Sequence, residues 1–324
     1  MNLVGSTQTL SDIIGASRTG QVWDPRNKMT VAKRTAIGIE HSYDNGLTLG
    51  IQGVYAKFEN LQYFVNINLG QRSANGNTAP VVAGAFYNDG YPSPINGFST
   101  AVRPAKAIVN GRLLNFANFG NVFLSKNDGE GTYNAIILTA SKRSESGWGF
   151  TSNLTFSMAR DNNSNERTTA SSTADSNTNN PANPLATNAY SDNDRRLRVV
   201  FAGYFPVIWG IQGAVNYSYT SGRPYSAIAT ADVNGDSGRN DYLGGTERNQ
   251  FRQPHVKQLD LRLSRNFAIT KRFQLDTFID VFNLPNWANQ RTTITGGQPT
   301  TDFGFINLPD RNTREVQLGV RAKF

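Results

Sequence analysis

"REVQLGVRAKF", Arg314 to Phe324, is the stretch from which the rest of the chain is read. Val316, Leu318, Val320, Ala322 and Phe324 fall on one side of an extended strand. Glu315, Gln317, Gly319, Arg321 and Lys323 fall on the other, because successive side chains alternate across a strand. The last residue is an aromatic that still keeps the pattern, so the terminal strand is expected to pair through its whole length.

The same period of two recurs upstream. In "TAIGIEHSY" Ile37, Ile39, His41 and Tyr43 share a face, and "LTLGIQGVYAKF" continues it with Leu47, Leu49, Ile51 and Tyr55. "WGFTSNLTFSM" sets Trp148, Phe150, Leu154, Phe156 and Met158 against Thr151, Asn153, Thr155 and Ser157. "RLRVVFAGYF", "IQGAVNYSYT", "LDLRLSRNF" and "FQLDTFIDVF" follow the same rule, whereas "TYNAIILTASKR" is too apolar for its facing to be read.

Connections alternate in length. Residues 44–46, 144–147, 206–209 and 268–272 read as tight turns. Residues about 70–130, 161–194, 222–255 and 285–313 read as long polar loops. A compact soluble domain rarely carries four such loops. Short turns at one end and long loops at the other describe an outer-membrane barrel. Tyr43, Trp148, Phe150, Phe205, Trp209, Phe267, Phe273 and Phe324 gather at the short-turn end, where an aromatic girdle at headgroup level is expected.

Composition agrees. Hydrophobic residues make up 38% of the 324 and mean hydropathy is −0.45, with no apolar run near the roughly 18 residues of a membrane helix. A strand barrel keeps a polar average, since only alternate residues meet lipid. Cysteine is absent, which removes thiol chemistry and Cys-based zinc sites. A net charge of +8 without a clustered basic patch gives no reason to invoke nucleic acid. The first residues have no basic, apolar and small-residue succession of a signal peptide.

Residues from about 24 to 324 resemble the C-terminal half of the barrel of TonB-dependent outer-membrane receptors, particularly the Oar-like type. The stretches that carry the resemblance are "DPRNKMTVAKRTAIGIEHSYDNGLTLGIQGVYAKFENLQYFVNINL", "GTYNAIILTASKRSESGWGFTSNLTFSMARD", "DNDRRLRVVFAGYFP", "TSGRPYS", "DVNGDSGRNDYLGGTERNQFRQPHVKQLDLRLSRNF" and "FQLDTFIDVFNLPNWAN". The resemblance implies energised uptake of a scarce nutrient through a barrel filled by an N-terminal plug. It also implies a final aromatic, here Phe324, read by the barrel insertion machinery. The plug, its contact with the TonB system and the other barrel half are expected partners outside this chain, along with outer-membrane lipid and lipopolysaccharide.

The fold expected is therefore all-β: an antiparallel transmembrane β-barrel segment of about nine long meander strands. Residues 35–324 form the barrel segment, preceded by a lead-in over 1–34. An odd count makes an incomplete barrel, an open sheet with two unpaired edges. A passive porin or small standalone barrel, and a secreted soluble β-sandwich binding glycan, are the alternatives.

Candidate site residues follow from the polar face. Arg196, Arg198, Asn216, Asp260, Arg262, Asp276, Asp280, Arg321 and Lys323 are expected to line the lumen, since charge on the lipid face costs about 2–4 kcal/mol near the midplane. Pairing Phe267 with Phe273 would set Arg262 opposite Phe278, diagonally between Asp276 and Asp280. Arg265 and Lys142 fall on the lipid side near the short turns, where long basic side chains snorkel to phosphates. His41 and His255 read as structural or interfacial, and no nucleophile elbow, phosphate loop or zinc spacing appears. "DVNGDSGRNDY" at 232–242 has part of a calcium-loop spacing but lacks its glycine and its closing glutamate. No enzyme, metal or cofactor is expected.

Overall fold

The structure is a computed structural model. It describes residues 18–72, 78–79, 98–99, 106–109, 112–115, 119–163, 185, 188–227, 242–270, 272–292, 306–309 and 313–324. Nine strands form one meander: β1 (Val31–Ser42), β2 (Leu47–Asn66), β3 (Phe119–Arg143), β4 (Gly149–Asp161), β5 (Leu197–Pro206), β6 (Ile211–Thr220), β7 (Val256–Ala268), β8 (Gln274–Phe282) and β9 (Glu315–Lys323). Each pairs antiparallel with its neighbour in chain order. Two short strands complete the 11-stranded sheet: Arg18–Trp23, parallel to the start of β3, and Ala189–Tyr190, on the end of β4.

The four tight turns are where the sequence places them. In the first, the Gly46 N–H donates to the Tyr43 carbonyl at 3.0 Å, and Gly46 has φ +77. Antiparallel neighbours joined by such turns need no crossover, which is why the sheet follows chain order.

Register separates the two faces. Ile39, Ile51, Leu138, Leu154, Val199 and Tyr219 lie in one cross-strand row. The adjacent row, on the opposite face, is Glu40, Gly50, Thr139, Asn153, Val200, Ser218 and Gln258. The facing of β3 is thereby resolved, with Ile136 and Leu138 on the apolar side. That side is open: Ile37 is 78% exposed and Leu318 73%. An apolar surface of this extent needs a partner or a lipid phase.

The sheet does not close. Among the described residues β1 and β9 are each paired on one side only, so the terminal strand pairs with β8 and leaves its other edge free. This is the open sheet with two unpaired edges that the odd strand count leads one to expect.

The best-buried side chains lie beyond the sheet's middle, at the loop end. Tyr63, Val65, Ile67, Leu69, Val122, Phe123 and Leu124 are fully buried where β2, β3 and Arg18–Trp23 meet. The expected loop over 70–130 is thus shorter, since β3 begins at Phe119. "NVFLS" is covered on both faces and so shows no alternation to read. At 20 and 25 residues, β2 and β3 far exceed the 9–11 that cross a bilayer, and their outer portions have to form their own core.

Candidate functional site

The polar face carries a ladder of paired charges on β7, β8 and β9. The turn 269–273 closes through the Ile269 N–H on the Phe273 carbonyl at 3.1 Å, and the first ladder pair is Ala268 with Gln274. The register therefore differs by two residues from the pairing of Phe267 with Phe273. Parity is kept, but Arg262 lies directly opposite Asp280 and Ser264 opposite Phe278. Arg262 Nε and Nη2 donate to the two oxygens of Asp280 at 2.5 and 2.6 Å, a forked pair that fixes both planes. The same guanidinium lies 4.6 Å above the Phe278 ring, which in turn covers Gly319 on β9.

Asp276 accepts from Asn266 opposite it and from Lys323 Nζ at 2.6 Å, with Arg321 as its partner in register on β9. Asp260 has a different task. It accepts from Gln258 at 2.9 Å and from the Asn283 backbone N–H at 2.9 Å, so it anchors the turn that follows β8. Asn216 faces Asp260 in register. Asn216, Asp260, Arg262 and Asp280 share a hollow of about 820 Å³ with Thr151 and Tyr204. Arg198, Asp276 and Arg321 lie on the same face but outside that hollow.

Arg196 belongs to another cluster, at the loop end. Asp194 is 1% exposed and accepts from the Ala159 N–H at 2.6 Å, from Arg196 Nε at 3.1 Å and from Arg252 Nη2. The Tyr190 ring is flanked by the guanidiniums of Arg196 at 4.2 Å, Arg160 at 4.9 Å and Arg252 at 5.1 Å. Arg248 bonds Asp161 at 2.6 Å, and Asn249 donates to the Tyr190 carbonyl at 2.6 Å and to Asp192 at 2.7 Å. Burial pushes the neighbouring Tyr242 phenol up to about 12; Arg248's charge opposes this and Asp192's adds to it.

This knot ties together the loops leaving β4, β6 and entering β7. Sequence reasoning missed it, although "DNDRR", "TSGRPYS" and "RNQFR" were within the family-like stretches. A density of Asp, Asn and Arg at three strand mouths was the available signal. Most of 232–242, with its calcium-like spacing, lies outside the described residues. Among the described residues no group of His, Asp and Glu is arranged to hold a metal ion.

On the apolar face, cations rest on rings instead of acids. Lys142 Nζ is 5.3 Å from the Trp148 ring and Arg265 is 4.6 Å from Phe267, both at the short-turn end. Phe273 and Phe324 meet at 5.4 Å, Trp148 stacks on Phe150 at 6.4 Å, and His41 meets Tyr43 edge-on at 4.5 Å. Phe205 covers Gly213, and Trp209 projects from the turn 207–210, 76% exposed. His255 stacks on Tyr219 at 5.3 Å at the other end.

The nine long strands share one sheet whose apolar face stands exposed among the described residues, unlike the two packed layers of a soluble sandwich. Residues 4–235 and 210–317 match the family described as the outer membrane beta barrel domain. Among solved structures, the outer membrane transporter YddB from Escherichia coli is similar at a TM-score of 0.52 and 10% identity, covering 95% of this chain and 34% of that one. The FrpB iron transporter from Neisseria meningitidis (F3-3 variant) gives 0.46 and 13%, covering 95% and 33%. This chain spans about a third of the length of either protein. No protein of curated function matches the sequence. The likeness to YddB bears on the fold alone. The family match covers far more than half the residues, and with it the two-faced meander reads plainly: the chain belongs to the outer membrane beta barrel domain family of the bacterial outer membrane.

Proposed function

We propose that these nine strands are part of the wall of a larger barrel, that of a TonB-dependent receptor importing a scarce nutrient. The observation that carries this reading is the pair of free edges. β1 and β9 both run from the loop end to the turn end, so direct closure would need a parallel seam in an otherwise antiparallel sheet. An odd number of further strands restores antiparallel closure and an even total, the rule for bacterial barrels. The similarity in fold to YddB, of which the chain spans about a third, supports the same reading.

In this reading Arg198, Asn216, Asp260, Arg262, Asp276, Asp280 and Arg321 face a lumen that holds a plug, and Arg196 braces the loops above it. Tyr43, Trp148, Phe205, Trp209, Phe267, Phe273 and Phe324 form the inner girdle, with Phe324 also the mark for the insertion machinery. The role is non-catalytic transport, driven through the plug by the TonB system. The test uses the cysteine-free chain. A single cysteine in place of Asn216 is labelled in cells by an aqueous maleimide, with and without an uncoupler. An energised transporter changes its labelling rate severalfold when the proton gradient collapses. An unchanged rate marks a passive porin.

A further inference from the structure

The loop end of the apolar face holds a second basic and aromatic cluster, built by the turn "NLPNWAN", Asn283 to Asn289. Its three asparagines all have positive φ: 48° at Asn283, 57° at Asn286 and 40° at Asn289. Asparagine tolerates this region because its short amide bonds locally. Each of the three holds one element. Asn283 is buried and clamps Trp287, accepting its N–H at 3.0 Å and donating to its carbonyl at 2.9 Å. Asn289 is buried and clamps Lys257 in the same way, at 2.9 and 2.8 Å. Asn286 accepts the Arg314 N–H at 3.0 Å.

The turn thus carries Trp287 beneath Lys257, whose Nζ is 4.5 Å from the indole ring, and fixes the backbone of Arg314 beside them. Tyr217 meets Trp287 edge-on at 6.3 Å. Lys257 lies in register with Tyr219 on the apolar face, and Arg314, held by Asn286 just before β9, precedes by two residues Val316, which is on that face. Among the described residues neither cation has a carboxylate partner, in contrast to Arg262 and Lys323 on the polar face.

Height makes the placement specific. From Lys257 to Arg265 the apolar face of β7 reads Lys257, Leu259, Leu261, Leu263, Arg265. That interval is about 27 Å along the strand and about 20 Å across a membrane at the usual tilt, close to the apolar band of roughly 25 Å. One cation marks each boundary of the leucine stripe. At the outer boundary, a pre-positioned ring and two cations without acids match a phosphate carried on a sugar above acyl chains.

We propose that Lys257, Arg314 and Trp287 form a binding site for a phosphorylated glycolipid of the outer leaflet. The site rests on the facing argued above, with loops outward and leucines toward lipid. It holds the chain in register with the membrane surface, through charge-assisted hydrogen bonds to the phosphate and stacking of Trp287 on the sugar.

The test takes the full chain extracted from the outer membrane in mild detergent and measures binding of bisphosphorylated lipid A and of its dephosphorylated form. The expected result is retention of the phosphorylated lipid alone, at least tenfold weaker binding in a Lys257→Gln, Arg314→Gln double variant, and near-normal binding in Lys257→Arg. Equal binding of the two lipids, or an unaffected double variant that still shows heat-modifiable migration, overturns the proposal. Displacement by inorganic phosphate alone also overturns it, because the site would then serve a soluble anion. A cysteine in place of Leu261 separates the two readings. Its labelling by aqueous maleimide in the membrane overturns the facing itself, whereas its protection, together with unaffected lipid binding in the Lys257→Gln, Arg314→Gln double variant, overturns the lipid site alone.

Discussion

Arg262 and Asp280 face one another across β7 and β8, and two guanidinium nitrogens meet both carboxylate oxygens at 2.5 and 2.6 Å. The Arg262 side chain is 52% exposed in this open sheet, so water screens much of the attraction. A forked pair of this kind is worth about 0.5–1 kcal/mol. Arg262→Ala and Asp280→Ala should each lower stability by about that much, and the double variant by less than their sum. Urea titration of the heat-modifiable band supplies the cycle. Strict additivity would mean the two side chains do not stabilise one another.

Asp194 is a different case, because it is fully buried beneath three donors. Removing a carboxylate of this kind leaves guanidiniums and a backbone N–H without their acceptor, at a cost of about 3–5 kcal/mol. The loss should fall on the loops and not on the sheet. In Asp194→Ala, protease added to intact cells should cut within 188–196 and 242–252, with heat-modifiable migration preserved. Protection equal to wild type would show that the knot is held elsewhere.

Much of this was legible in the sequence, and the division has a physical basis. Strands with one face in lipid and one in water alternate with few exceptions, Ser152 and Arg265 among them, so β4, β6, β7, β8 and β9 could be read residue by residue. Face assignment survives a register error of two, which is why Arg262 and Asp280 were placed on one side although their direct pairing was not foreseen. Turn length sets register, and the N–H donations within 269–273 cannot be read from composition. The knot and the "NLPNWAN" clamp were illegible for another reason. Asp194, Arg252, Asn283 and Asn289 act through partners 32 to 58 residues away or through left-handed backbone, and no periodicity records either.

Gly222 offers an independent test of the knot. A Cβ built on it would come within 1.6 Å of the Gln253 carbonyl oxygen, and the contact is with backbone, which cannot swing aside. Gly222→Ala should therefore separate 221–227 from 251–254. The expected signature is loss of hydrogen-exchange protection at Gln253, whose N–H donates to the Arg223 carbonyl at 2.9 Å, while the β6–β7 ladder keeps its protection. Retained protection at Gln253 would mean the two segments slide past each other without cost.

Tyr242 adds a pH dependence to the same region. Its phenol moves from 10.0 to about 12 on folding, burial being the main cause. The folded form holds its proton more tightly, so the contribution is complete below pH 10 and is lost as pH rises from 10 toward 12. The full shift corresponds to about 2–3 kcal/mol. Proteolysis of 242–252 should accelerate across that interval in wild type and stay flat in Tyr242→Phe. An acceleration that persists in the phenylalanine variant would assign it to another group.

The two free edges yield the sharpest test of barrel size. Ile39 on β1 and Leu318 on β9 are mid-strand, exposed, and on edges that run in the same direction. Cysteines at Ile279 and Leu318, directly opposite in register, should oxidise readily to an intrachain disulfide, since such pairs lie within bonding reach. Cysteines at Ile39 and Leu318 should not do so in the native outer membrane if further strands separate β1 from β9. A fast-migrating cross-linked monomer from the second pair would mean that the nine strands close on themselves, and the larger receptor barrel would have to be abandoned for a small standalone one.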